Sequence, residues 1–189
     1  MIMLVFGCII FFGIHSVQIA LPALRARMVA RMGKSKWMLL YSAIAGIGLA
    51  LIIIGYGAAR HESTLLYLPP TWGRSVAIWL MLPVFPLLLA AYLPGKIQSR
   101  LRHPMLLATL LWATAHLVAN GTVADAVLFG SFLVWALADL LSFLYRPEKR
   151  IRRLPAKRWN DVIAIVGGLV IYGLFAAGGH QWLTGIALM

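Results

Sequence analysis

The chain has 189 residues, 62% of them apolar and 12% charged, with a mean hydropathy of +0.88, and its apolar residues gather in long runs instead of amphipathic stripes. Such runs exclude a soluble globular domain and predict an all-α, polytopic transmembrane helical bundle. The formal net charge of +12 belongs to membrane topology and anionic lipid and not to nucleic acid, while the single cysteine, Cys8, excludes an intrachain disulfide framework, a C-x-x-C-H haem attachment and a zinc cluster.

A helix needs about 20 apolar residues to cross the hydrocarbon core, and six runs meet or approach that length. They are Met1 to Leu21, Trp37 to Ala58, Val76 to Leu93, Met105 to Ala119, Val123 to Tyr145, and a last one from about Val162 through Gly178 and Gly179 to the C-terminus. The first lacks a basic leading region and precedes five more, so it reads as a span and not as a cleaved signal. Pro83 and Pro86 must interrupt the backbone ladder of the third. Gly46, Gly48, Gly55 and Gly57 in the second, with Gly167, Gly168 and Gly173 in the sixth, let helices approach closely. No polar linker or repeat divides the chain, which predicts one domain over residues 1–189.

The connecting segments carry the orientation. Arg25, Arg27, Arg31, Lys34 and Lys36 follow span one; Lys96, Arg100 and Arg102 follow span three; Arg146, Lys149, Arg150, Arg152, Arg153, Lys157 and Arg158 follow span five. The other two loops hold only Arg60 and Arg74, so 15 of the 17 basic residues lie on one side. The positive-inside rule places that side in the cytoplasm and both termini in the periplasm, which implies a multi-pass protein of the bacterial inner membrane. Trp37, Tyr41, Tyr92, Tyr145 and Trp159 then fall near the inner boundary, and Tyr67, Trp72, Trp79 and Trp182 near the outer one, as interfacial anchors. Trp112 and Trp135 lie in mid-span, where anchoring does not explain them.

Ionisable residues at membrane depth are costly and ordinarily face a partner, a cavity or a cofactor. His61, His103 and His180 sit outside or at the edges of the spans; only His15 and His116 lie within them. On its helix His116 shares a stripe with Thr109, Trp112, Ala113 and Asn120, and His15 shares one with Phe11, Phe12, Gln18 and Ile19. Counting helical rise from Arg25 and Arg102 sets the two imidazoles roughly 15 and 21 Å above the basic boundary, a mismatch that ordinary helix tilt absorbs. Two imidazoles from different helices at similar depth, flanked by flat aromatic and small side chains, are what a buried haem b requires. Gln18 or Asn120 would orient a ring nitrogen. The competing expectation is a hydrogen bond across a helix interface. Asp125, at the start of span five, suits a helix N-terminus, and Asp139 is placed to pair with loop arginines.

The patterns FFGIHSVQIALPALRARM, RHPMLLATLLWATAHLVANG and FGSFLVWAL resemble the bacterial NnrU family over most of the chain. That resemblance implies a link to nitric oxide and nitrite metabolism in denitrification. The chain is also similar to the 15-cis-zeta-carotene isomerases, which implies haem b with His15 and His116 as its axial iron ligands. In that resemblance a cysteine three residues before the second histidine serves as an alternative ligand; here the position is Ala113, and a methyl group cannot coordinate iron. The expected site therefore comprises His15 and His116 with Phe11, Phe12, Trp112, Ala113 and Asn120 around them, six-coordinate and without a ligand switch, and no catalytic residue is assigned. The expected role is redox or nitrogen-oxide work with a redox partner; the alternatives are isomerisation of a hydrophobic polyene and a cofactor-free transporter or structural protein.

Overall fold

The computed structural model describes residues 1–145 and 155–186, and it is 80% helical with no strand among them. Among the described residues five helical stretches are long and apolar enough to cross a membrane: Ile2–Ala20, Lys34–Ala59, Gly73–Tyr92, Val123–Ser142 and Asn160–Thr184. The run expected to be the fourth span forms a shorter apolar helix, Pro104–Ala119, of 16 residues. At 1.5 Å per residue it is about 24 Å long, against a hydrocarbon core of about 30 Å. Of the basic segment after span five, Arg146, Lys149, Arg150, Arg152 and Arg153 lie outside the described residues, and with them most of the loop arginines expected to pair with Asp139.

The helices gather into two compact units. The first holds α1 (Ile2–Ala20), α2 (Pro22–Met32), α3 (Lys34–Ala59) and α8 (Val123–Ser142). Proline at the first position of α2 suits a helix start, and Gly33, at φ 82°, turns the chain into α3. Helices α1 and α3 touch backbone to backbone: a Cβ on Gly7 would stand 2.6 Å from the amide nitrogen of Ile52, one on Gly48 would stand 2.7 Å from that of Phe11, and one on Gly55 would collide with the backbone of Leu4. Small residues permit this approach where lipid offers no hydrophobic drive between helices. Gly46 and Gly57 have nothing within 4 Å, so only half of the glycines read as packing in this span do that work.

The far end of this unit is closed by a short irregular pairing. Leu66 and Tyr67 donate their amides to the Gly121 carbonyl at 2.8 and 3.1 Å, and Val123 donates to Thr64 at 3.0 Å. Gly121 sits against the Tyr67 carbonyl, where any Cβ would collide. Thr122 then starts α8 as a capping box: the Thr122 amide and hydroxyl donate to Asp125 at 3.0 and 2.6 Å, and the Asp125 amide donates back to the Thr122 hydroxyl at 3.2 Å. The Tyr56 hydroxyl adds a third donor at 2.6 Å, so this buried carboxylate is fully engaged. Asp125 does occupy the helix N-terminus expected of it, and it also ties α8 to α3.

The second unit contains α4 (Gly73–Met81), α5 (Val84–Tyr92), α6 (Lys96–Leu101), α7 (Pro104–Ala119), α9 (Asn160–Leu174), a π-helical turn at Phe175–Gly179 and α10 (His180–Thr184). The third predicted span breaks between α4 and α5 at Leu82 and Pro83, as its prolines require. Val84, Leu87 and Ala108 form a core against which Met81, Leu88, Leu111 and Trp112 pack. Gly168 of α9 lies directly on Pro86, where a Cβ would collide. Asn160 and Asp161 bind α9 to the turn before α6: Asn160, 2% exposed, donates to the Pro94 carbonyl at 2.9 Å, and the Asp161 carboxylate accepts the Lys96 and Ile97 amides at 2.8 and 3.1 Å. Asp161 thus caps α6 from another helix. Before α7, Arg102 adopts φ 58°, and the His103 amide reaches back to the Leu101 carbonyl at 2.6 Å, a tight γ-turn that launches the helix at Pro104.

Candidate functional site

His15 is half-buried near one end of α1, and its ring Nδ1 lies 2.6 Å from the Phe11 carbonyl oxygen. A carbonyl can only accept, so the proton of the neutral ring sits on Nδ1 and the lone pair on Nε2. The acceptor is the carbonyl four residues back in the same helix, which local geometry always supplies; neither Gln18 nor Asn120 is needed to orient the ring.

Around His15 the first unit assembles aromatic rings from three helices. Phe11 lies 4.2 Å from it between centroids, Tyr41 of α3 5.3 Å and Trp135 of α8 5.6 Å, the last two edge-on. Phe12 meets Trp135 at 5.9 Å, and Phe132, one turn before Trp135, meets Phe12 at 4.9 Å and Phe11 at 5.7 Å. Phe11 stands against His15, while Phe12 packs on Phe11, Phe132 and Trp135. Tyr41, expected at the interface, turns to the histidine instead. Trp37, also expected as an anchor, is 5% exposed and packs inside the unit. Helix spacing could not reveal either, because it identifies the face a residue occupies and not the helix that covers it.

Trp135 carries the less ordinary feature of the cluster. Its indole Nε1 is buried and finds no hydrogen-bond acceptor among the described residues.

In the second unit α7 repeats the local device. Nδ1 of half-buried His116 lies 2.8 Å from the Trp112 carbonyl oxygen, and the rings of Trp112 and His116 are 5.2 Å apart. Nδ1 is again the donor, since a carbonyl oxygen can only accept. Trp112 packs on the core of its unit, which accounts for a tryptophan in mid-span. Ala113 is completely buried. The Thr109 hydroxyl, part of the predicted polar stripe, is taken up by the Met105 carbonyl at 3.0 Å. Asn120 falls one residue beyond the end of α7, and its backbone carbonyl accepts the Tyr67 hydroxyl at 2.6 Å.

The remaining histidines serve local contacts: His103 stacks on Phe143 at 3.8 Å, His61 receives the Arg60 guanidinium at 3.4 Å, and His180 meets the Ile186 carbonyl at 2.9 Å. Among the described residues no group of three or more His, Cys, Asp or Glu side chains converges as a metal cage would. Each intramembrane histidine is instead a single imidazole with Nδ1 held by the carbonyl four residues back in its own helix.

Comparison with curated proteins and with solved structures finds no match for this chain. The family model described as NnrU protein matches residues 3–188, nearly the whole length, so the helical membrane architecture and the two histidine-bearing helices lie inside one family unit. The chain belongs to the NnrU family.

Proposed function

We propose that this NnrU-family membrane protein serves a redox role linked to nitric oxide and nitrite metabolism, for which His15 and His116 would be the residues that hold haem b. The observation that carries the reading is the matched pair of clamped imidazoles, Nδ1 to Phe11 at 2.6 Å and Nδ1 to Trp112 at 2.8 Å. Metal-ligating histidines ordinarily donate their second ring nitrogen to a carbonyl or carboxylate, which fixes the tautomer and raises the basicity of the coordinating nitrogen. Two such ligands suffice for a porphyrin, whose own nitrogens fill the other positions, whereas a metal held by protein alone needs more donors.

Two further features support it. Phe11, Phe12, Phe132, Tyr41 and Trp135 offer flat apolar surface on the His15 side. The unpaired indole N–H of Trp135 fits a site whose occupant brings its own acceptor. The haem would supply one-electron transfer; the protein's own residues hold the ligands, exclude water and set the polarity around them. Ala113, a buried methyl, gives His116 no neighbouring coordinating atom to exchange with, which favours electron transfer over the ligand-switched isomerisation of a polyene. The membrane is the bacterial inner membrane, with the basic loops in the cytoplasm, and a redox partner or hydrophobic small molecule would approach from the bilayer or the aqueous faces.

The test is the absorption spectrum of the purified protein, oxidised and reduced, with a pyridine haemochrome assay, on wild type, His15→Ala and His116→Ala. A low-spin b-type spectrum near one haem per chain in wild type, with haem lost or turned high-spin in both variants, is the expected result. Folded protein from haem-replete cells that carries no haem would refute the reading.

A further inference from the structure

A buried N–H without an acceptor costs about 1–3 kcal/mol, and folded chains seldom retain one without a reason. Trp135 Nε1 is such an atom. A smaller all-carbon ring such as phenylalanine would carry no such penalty, so filling space does not by itself call for an N–H at this point. Its neighbours explain it no better: the rings of Phe12, at 5.9 Å, and His15, at 5.6 Å and 84° to the indole plane, lie beside it, but Nε1 makes no hydrogen bond to either, His15 Nε2 included. An occupant of the cluster that brings its own acceptor would satisfy it.

We propose that Trp135 is a ligand-binding residue whose indole N–H donates to a carboxylate oxygen of the haem held through His15. The inference rests on the haem reading and adds a residue which that reading does not assign. The porphyrin of haem b is hydrocarbon around its rim except for its two propionates, so those carboxylates are the acceptors it brings.

Depth agrees. Trp135 is about 10 Å along α8 from its end at Ser142, His15 about 8 Å along α1 from Ala20, and Tyr41 about 10 Å along α3 from Lys34. Each of those helix ends runs into a basic segment of the sequence, beginning at Arg146, at Arg25 and at Lys34 itself. A carboxylate at this level is close enough to the boundary to be stabilised by cations, and deep enough that a protein donor matters.

Full-length apo protein in detergent, wild type and Trp135→Phe, is titrated with haem b and with haem b dimethyl ester, in which both carboxylates are masked. Loss of a hydrogen bond to a charged group should weaken haem b binding about tenfold or more, and ester binding several-fold less than that, because an ester carbonyl is an uncharged and weaker acceptor. Equal weakening for both porphyrins would reduce Trp135 to packing, and unchanged haem b affinity would remove the bond; either overturns the proposal while leaving the axial pair intact. Wild type that binds neither porphyrin overturns the haem reading and this proposal together. If Trp135→Phe does not accumulate as folded protein, wild type decides by itself: it should bind the ester clearly more weakly than haem b, and equal affinity overturns the assignment.

Discussion

Replacing Gly48 with alanine tests the coupling between the helix interface and the histidine. A Cβ at that position would stand 2.7 Å from the Phe11 amide nitrogen and 2.9 Å from its Cα, whereas ordinary contact begins near 3.4 Å. The obstruction is backbone, so no side-chain rotation relieves it; α1 and α3 must separate by roughly 0.7 Å at this level. Overpacking of this kind costs typically about 1–3 kcal/mol, and in a chain of this size each kcal/mol lowers Tm by about 2–4 °C. The displaced residue is the one whose carbonyl holds His15 Nδ1 at 2.6 Å, and ligand geometry tolerates only about 0.5 Å of error. Gly46→Ala, two residues away on the same helix, meets nothing within 4 Å and should be neutral or stabilising by up to about 1 kcal/mol. The assay is thermal unfolding of both variants in detergent, with haem content measured alongside. Gly48→Ala should melt about 2–12 °C below wild type and lose haem occupancy, while Gly46→Ala does neither. Equal melting of the two variants would refute the close backbone contact, and a destabilised Gly48→Ala with full, unaltered haem would refute its transmission to His15.

Asp125→Ala should destabilise by about 2–3 kcal/mol, since it strands the Tyr56 hydroxyl and the Thr122 donors in a buried site, whereas Tyr56→Phe should cost about 1 kcal/mol; detergent-phase melts of both variants test the order. Burial, reinforced by the negative charge of Asp125, raises the Tyr67 phenol above its ordinary value. The folded state therefore holds this proton more tightly than the unfolded one, so the contribution is complete below about pH 10 and is lost as pH rises through the folded value. Tyr67→Phe should remove that alkaline loss, read from Tm against pH between about 8 and 12. Reporter fusions at each terminus test the orientation inferred from the basic loops: both should report the periplasm, and termini on opposite sides would exclude Pro104–Ala119 as a complete crossing.

Much of the architecture was legible without coordinates, because crossing a bilayer is a local demand. Every backbone amide must be satisfied within its own segment, so each span has to be helical, apolar and about 20 residues long, and the runs at Ile2–Ala20, Lys34–Ala59 and Val123–Ser142 announce themselves by composition alone. The break at Pro83 follows from a missing amide. The clamps on His15 and His116 are likewise built from residues four apart in one helix, and the histidines stood out because hydrocarbon gives an imidazole no partner.

What composition does not carry is which faces meet. Gly48 and Gly55 touch a neighbouring backbone while Gly46 and Gly57 do not, though all four look alike in sequence. Tyr41 turns toward His15 and Trp37 is buried, yet both sit where an interfacial anchor would. Asn120 leaves the helix because the chain must deliver Gly121 to the Tyr67 carbonyl, a contact between segments more than 50 residues apart. The unpaired indole of Trp135 became visible only when three helices closed around it. Residue type and spacing therefore determined the membrane class, the spans and the two imidazoles of this protein; the packing of its helices alone decided their surroundings, since contact between distant segments depends on rotation and approach that no local pattern encodes.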